Sequence, residues 1–216
     1  MPHPVSLCRM QVLLEVFSVA VGLALPGCGG DTPGSSPESS IQVTGLPTSV
    51  MNYHAAKQRA GNWCWAACVQ MALSAKGIEV DQAEVVRNAF GSLVDRPGSP
   101  LDILANLNGW TMTRSGSRVF VSTQFSPGPP TFETLKLLLD SGTPVIVGYD
   151  NPGIAVGHAV VITAVVYELT PQGPTIHRVL VRDPWPEFSG THGKRELSGA
   201  EFDRVREHYV IVPVEQ

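Results

Sequence analysis

Cys64 stands where a loop turns into a helix. Gly61 and Asn62 before it are turn and cap residue types, and residues 63–76 contain neither Gly nor Pro. The thiol therefore falls in the first helical turn. Unpaired backbone N–H groups and the positive end of the helix dipole favour an anion there. A thiolate is such an anion, so the position suits a sulfur nucleophile. Gln58 lies earlier in the same loop. From there its side-chain amide can face the place where negative charge develops when a thiolate attacks a carbonyl.

A sulfur nucleophile needs a base, and the base needs an orienting group. His158 follows Gly157 at the head of an apolar run, Ala159-Val160-Val161-Ile162. Asp183 ends a second run, Val179-Leu180-Val181-Arg182, and is followed by Pro184-Trp185. A His at the head of one strand and an Asp at the foot of the next become neighbours if the strands pair antiparallel. The spacing from 158 to 183 leaves room for two strands and a turn.

The elements that must hold these groups run helices first, strands later. Gly77 closes the Cys64 helix as its C′ residue, and Cys64, Ala67, Cys68, Met71 and Ala75 fall on one face, the expected core stripe. Asp81 with Glu84 opens a helix to about Phe90. Ser99-Pro100 opens another from Leu101 to Asn108, closed by Gly109. Residues 110–113 and 118–121 are short strand candidates. Thr131 starts a helix through Asp140, with Phe132, Leu135, Leu138 and Leu139 as its buried stripe. After Gly142 the pattern changes. Residues 144–149 are apolar throughout, which predicts a central strand, and residues 150–153 are turn chemistry. The His158 strand and a strand over 176–183 follow, joined by a turn around 171–174. Ser198 with Glu201 caps a short helix, and 208–214 form a final strand. Helices followed by sheet predict an α+β fold, with Cys64 on a helical half facing His158 on a sheet half.

A Gln six positions before a Cys at a helix start, tryptophans beside that Cys, a later Gly-His strand and an Asp-x-Trp together resemble the papain-like cysteine peptidases. The string Asn62-Trp63-Cys64-Trp65-Ala66-Ala67-Cys68 is most similar to the bacterial branch that includes the AvrRpt2-type effectors and the C39-like peptidases. The resemblance covers about residues 58–214. It implies a two-lobed fold, with the nucleophile on an N-terminal helical half and His and Asp on a C-terminal antiparallel sheet. It also implies Cys64 as nucleophile, His158 as base, Asp183 as orienting residue and Gln58 as oxyanion donor. Trp185 becomes a shield over the His158–Asp183 hydrogen bond. Of Trp63 and Trp65, one is expected in the core and the other, taken as Trp63, in the cleft. Two departures stand out. Asn62-Trp63 replaces the Gly-[Ser/Ala] that precedes the Cys in plant and animal papains, and the third residue is Asp rather than Asn. Both point to the bacterial branch and leave the substrate open.

The implied reaction is hydrolysis of a peptide bond through a thioester acyl-enzyme, with no metal or organic cofactor. The same triad also fits an acyl transferase or transglutaminase-like enzyme in which an amine replaces water, and a non-catalytic lipoprotein that binds in the cleft. Cys68 is a rival nucleophile, but it lies one turn deeper on the core stripe and reads as packing. A Cys64–Cys68 disulfide is poorly served by two positions four apart on a helix, and the paired-ligand spacings of structural zinc sites are missing. His54, His177, His192 and His208 have no motif around them and read as surface or structural.

With 43% hydrophobic and 16% charged residues, the 216-residue chain suits one soluble domain with a substantial core. A net charge of −4 without a basic patch argues against nucleic acid as a partner, so the expected partner is a peptide or protein substrate and the expected state a monomer. Residues 1–27 read as a signal peptide. Arg9 supplies the positive region, and residues 16–25 form an apolar stretch too short to span a bilayer. Leu25-Pro26-Gly27-Cys28 resembles a bacterial lipobox, which implies lipid modification of Cys28. Residues 28–45 read as a lipid-attached flexible linker, rich in Gly, Ser and Pro up to residue 40, although Ile41-Gln42-Val43 has the makings of a short strand. Residues 46–216 read as the catalytic domain. The expected location is exported and membrane-anchored, on a periplasmic or extracellular face.

Overall fold

The computed structural model describes residues 40–152, 156–185 and 190–215. The segments expected to be a signal peptide and a linker lie outside the described residues up to residue 39, Cys28 included. Among the described residues, no helix is long and apolar enough to cross a membrane.

One antiparallel sheet dominates the fold. Its strands are β1 (Ile41–Gly45), β2 (Gly109–Met112), β3 (Arg118–Pro127), β4 (Val145–Tyr149), β5 (His158–Thr170), β6 (Gly173–Arg182), β7 (Lys194–Leu197) and β8 (Val205–Glu215). The order across the sheet is β2-β3-β8-β4-β5-β6-β7, with β1 pairing to β5 off this path. Six helices accompany it: α1 (Thr48–His54), α2 (Cys64–Ser74), α3 (Gln82–Phe90), α4 (Pro100–Asn106), α5 (Phe132–Asp140) and α6 (Gly199–Phe202). This is an α+β fold, with the Cys64 helix in the N-terminal helical part and the His158 and Asp183 strands in the sheet.

The apolar run of β4 is explained by its place. It lies between β5 and β8, so both of its edges are paired, and residues on both of its faces are buried. Ile146 joins Ala159 and Val161 of β5 in the core shared with α2, α3 and α4. Val145 and Val147 point the other way, into the core beneath α5, with Val160, Ile162 and Leu135. Period-two alternation thus feeds two cores from one strand.

Several local signals are realised. Gly77 takes φ +75° after α2, and Ile78 N–H returns to Leu73 O at 3.0 Å. Asp81, Ser99, Thr131 and Ser198 each accept a backbone N–H at the start of their helices. Leu135 and Leu139 of α5 are buried, with Phe132 and Leu138 packed at the margin.

Other expectations are corrected. The core face of α2 is not a stripe. Cys64 to Val69, Met71, Ala72 and Leu73 are all buried, because the helix is enclosed by the sheet on one side and by neighbouring helices on the other. Asn62 is not the cap of α2. Trp63 occupies that position, and Asn62 instead bonds to Asp95, its N–H to Oδ1 at 2.7 Å. α4 ends at Asn106, and Gly109 belongs to β2 rather than to a helix stop. Ile41–Gly45 is not linker: it is β1, paired with β5 from Ile41 opposite Glu168 to Gly45 opposite Ala164. The folded domain therefore starts before residue 46. The strand candidates at 110–113 and 118–121 are realised as β2 and β3, which join the same sheet.

Candidate active site

The three chemistry-bearing residues arrive from three elements. Cys64 is the first residue of α2, and His158 the first of β5. Asp183 is the residue at which the chain leaves β6. In the β5–β6 pairing Arg182 lies opposite Val161, so the end of β6 returns to the start of β5. That return makes neighbours of residues far apart in the chain. His158 Nε2 donates to Asp183 Oδ1 at 2.8 Å, and both side chains are nearly withdrawn from solvent, at 10% and 12% exposed.

The other ring nitrogen, Nδ1, is free of Asp183, and Cys64 lines the same cavities as the ring and helps to hold its proton. Burial by itself would lower the pKa of His158. The bond to Asp183 and the interaction with Cys64 outweigh it and raise the value to about 9. The ring is therefore an imidazolium at neutral pH, with both nitrogens donating. Burial would raise the Asp183 pKa, but its hydrogen bond to His158 and the imidazolium charge bring it below the usual carboxylate range. The backbone N–H of Trp185 adds a third contact, to Oδ1 at 3.0 Å.

A model of the Peptidase_C39 like family matches residues 50–209, which span the Cys64 helix, the His158 strand and the Asp183 turn. The chain belongs to the Peptidase_C39 like family. Of the two bacterial branches that the sequence resembles, the match is to the C39-like one. None of the curated proteins matches significantly. Among solved structures, the chain is similar to the peptidase domain of Streptococcus ComA, a bi-functional ABC transporter involved in a quorum sensing pathway. That likeness has 16% identity and a TM-score of 0.49, over 75% of this chain and 98% of that one.

In this C39-like peptidase, Cys64 lies between two cavities. One, of about 480 Å³, runs past Gly61, Asn62, His158, Asp183 and Trp185. The other, of about 330 Å³, runs past Trp65, Gly98, Ile146, Gly148 and Tyr209. The first turn of α2 carries no side-chain cap, unlike those of α3, α4, α5 and α6. Its leading N–H groups have no intrahelical carbonyl to bond, and they start at the thiol.

The remaining predicted residues fall as follows. Gln58 is buried in the loop, and its backbone N–H bonds to Pro184 O at 2.9 Å, joining the loop before Cys64 to the Asp183 turn. Its Nε2 donates to both Ala60 O and Gly61 O, each at 2.9 Å, so both amide hydrogens are engaged within the loop. Trp185 sets its ring edge-on to His158, with 5.9 Å between centroids and an interplanar angle of 89°. Trp63 does not line either cavity: it is 8% exposed, and its Nε1 donates to Val94 O at 2.8 Å. The cleft indole is Trp65, whose Nε1 donates to Arg96 O and whose ring lies under Gly98. Both indoles bond to the α3–α4 connection, Trp63 at Val94 O and Trp65 at Arg96 O, and the path of that connection leaves only Trp65 on the cavity wall.

Cys68 is a buried free thiol, as is Cys64, and burial raises the Cys68 pKa well above its ordinary value. Of the unassigned histidines, His208 is buried with Nδ1 on Gly128 O, His54 bonds Ser74, and His177 bonds Glu168.

Sequence reasoning missed Arg195. Its Nε donates to Asp183 Oδ2 at 2.7 Å, its Nη1 to Glu201 Oε2 at 3.2 Å, and its Nη2 to the Tyr149 hydroxyl at 2.9 Å. The Tyr149 hydroxyl in turn donates to Glu201 Oε1 at 3.1 Å, and its ring packs edge-on to His158. A lone Arg on a short strand carries no sequence motif. Only the β6–β7 pairing, with Arg195 opposite Val181, brings it to the carboxylate.

Proposed function

We propose that the chain is a cysteine peptidase acting through Cys64, His158 and Asp183. The observation that carries the reading is the His158–Asp183 hydrogen bond at 2.8 Å, with Cys64 and the same imidazole lining the same two cavities. Two cavities on either side of the thiol suit an extended peptide crossing it. The Cys64 thiolate attacks the peptide carbonyl, and the His158 imidazolium gives its proton to the leaving amine. Water, deprotonated by His158, then hydrolyses the thioester. Asp183 holds the ring in orientation throughout. The oxyanion meets the Cys64 N–H, and Gln58 adds a second donor by exchanging its bond to Gly61 O for the oxyanion.

The reading is tested by digesting a peptide library, with and without an added amine, and comparing wild type with Cys64→Ala. New carboxyl termini that depend on Cys64 support hydrolysis, whereas amide products formed with the amine overturn it in favour of acyl transfer. Gln58→Ala should lower kcat roughly a hundredfold; an unchanged kcat in a folded variant removes Gln58 from the oxyanion site.

We propose in addition that the enzyme is exported and anchored by lipid on Cys28. The support is the charged, apolar and lipobox-like order of residues 9–28. With such an anchor, substrates would be met near the membrane surface. Mass spectrometry of the native protein tests the anchor: an unlipidated N-terminus at a residue other than Cys28 overturns it.

A further inference from the structure

The smaller of the two cavities at Cys64 is mostly apolar. Its walls include Trp65, Ile103, Ile146 and Tyr209. Four charged side chains line it: the His158 imidazolium beside Cys64, and Asp150, Arg206 and Glu207. Arg206 is ion-paired with Asp150, so those two charges balance. Glu207 is different. Its Oε1 accepts from the Tyr209 hydroxyl at 3.0 Å, and among the described residues it has no ion-pair partner. The carboxylate lies directly over Gly148 of β4: a Cβ at that position would stand 2.9 Å from Glu207 Oε1. Absence of a side chain at residue 148 is what lets the carboxylate settle into the cavity. The burial of Tyr209 and the neighbouring Glu207 charge both keep the phenol protonated, so it remains a donor.

A carboxylate with one neutral donor at the side of an apolar cavity has unused acceptor capacity. A ligand that suits both parts has a long apolar stem and a cationic tip. Lys and Arg side chains are built that way, and they bury the stem while the head finds its counter-ion. Acidic tips are repelled, and neutral apolar tips leave Glu207 unpaired and partly desolvated.

We propose that this cavity is a specificity subsite for a basic side chain, Lys or Arg, of the peptide substrate, with Glu207 as its determinant. The proposal rests on the peptidase reading above and names its substrate class. Substrates are then peptides carrying a basic residue close to the scissile bond.

The test compares matched peptides that differ at one position, Lys against norleucine, chosen where a library digest shows the strongest selection. Wild type should prefer Lys in kcat/KM by roughly tenfold or more, the scale of one charge-assisted hydrogen bond. Glu207→Gln keeps an acceptor for Tyr209 and should bring the ratio near one. Glu207→Lys should reverse it, favouring a Glu peptide, an outcome that a purely structural role would not produce. A second measurement does not need turnover: protection of Cys64 from iodoacetamide by the same peptides. Cleavage with a ratio near one in wild type, or a ratio unaffected by Glu207→Gln, overturns the subsite and leaves the peptidase reading intact. Protection by the Lys peptide that Glu207→Gln abolishes, in the absence of any cleavage, upholds the subsite and overturns the peptidase reading. Neither cleavage nor selective protection overturns both.

Discussion

Arg195 Nε lies 2.7 Å from Asp183 Oδ2, while His158 Nε2 holds the other oxygen of the same carboxylate at 2.8 Å. One carboxylate is thus shared between a permanent cation and a titrating one. Arg195 fixes the plane of the carboxylate and draws part of its charge away from the imidazolium. Glu201 and Tyr149 hold Arg195 in turn. Arg195 is a positioning residue, since it acts on the ring only through Asp183.

Arg195→Gln should lower kcat roughly tenfold, as loss of such supporting contacts does. It should also shift the pH profile. With the guanidinium gone, the Asp183 charge acts undivided on His158, so the imidazolium persists to higher pH. The alkaline limb of kcat/KM should move above that of wild type. A fall in activity with an unmoved limb would reduce Arg195 to a structural role.

The pH dependence of the wild type follows from His158. Its pKa in the folded protein is about 9, against 6.5 for the free side chain. In the proposed mechanism activity needs the imidazolium, so the alkaline limb of kcat/KM should fall near pH 9. The same shift acts on stability. A raised pKa means that the folded state holds the proton more tightly. The contribution is therefore complete below about pH 6.5 and is lost as pH rises through about 9. Thermal melts between those limits should show a falling Tm, and the Asp183→Asn variant should flatten that part of the curve.

Cys64 and Cys68 are separated by one helical turn and should behave oppositely. Cys64→Ala should abolish hydrolysis. It should also lower the His158 pKa, because the thiol's contribution to holding the ring proton is removed; NMR titration of the ring protons reads this without any turnover. Cys68→Ala should keep substantial activity and cost about 1 kcal/mol of stability, as a small apolar loss in a packed core. A folded but inactive Cys68→Ala variant would reverse the assignment.

Gly98 is held against Trp65 more closely than any side chain allows. A Cβ there would stand 2.4 Å from Trp65 Cδ2. Gly98→Ala should cost roughly 1–3 kcal/mol by overpacking and displace the indole from the cavity wall. Peptide selectivity should change with it, while alkylation of Cys64 by iodoacetamide continues. Unaltered stability and selectivity would show that the loop yields instead of the indole.

The sequence by itself determined what depends on short-range order. The Gly-Asn loop and the Gly/Pro-free run after it put Cys64 at a helix start. The Gly77 stop, the Ser99 and Ser198 caps and the apolar run at 145–149 mark elements whose signals lie within a turn or a strand. Two successive apolar runs, the first headed by His158 and the second ending at Asp183, bring those residues together under antiparallel pairing, because a hairpin returns the chain to its own start. Tertiary structure decided the rest. Nothing near residue 195 announces that β7 will carry an Arg to Asp183; that depends on a cross-strand register. Trp63 and Trp65 have the same local setting, and only the path of the α3–α4 connection, pinned by their two indole N–H groups, decides which one faces the cleft. The segment at 41–45 follows a polar tether, and the strand signal of Ile41-Gln42-Val43 becomes part of the domain because β5 offers it an edge. Glu207 is an unremarkable charge in the sequence. It enters the cavity beside Cys64 because its neighbour across β4 and β8 is a glycine. That pairing joins residues 148 and 207, which no local rule connects.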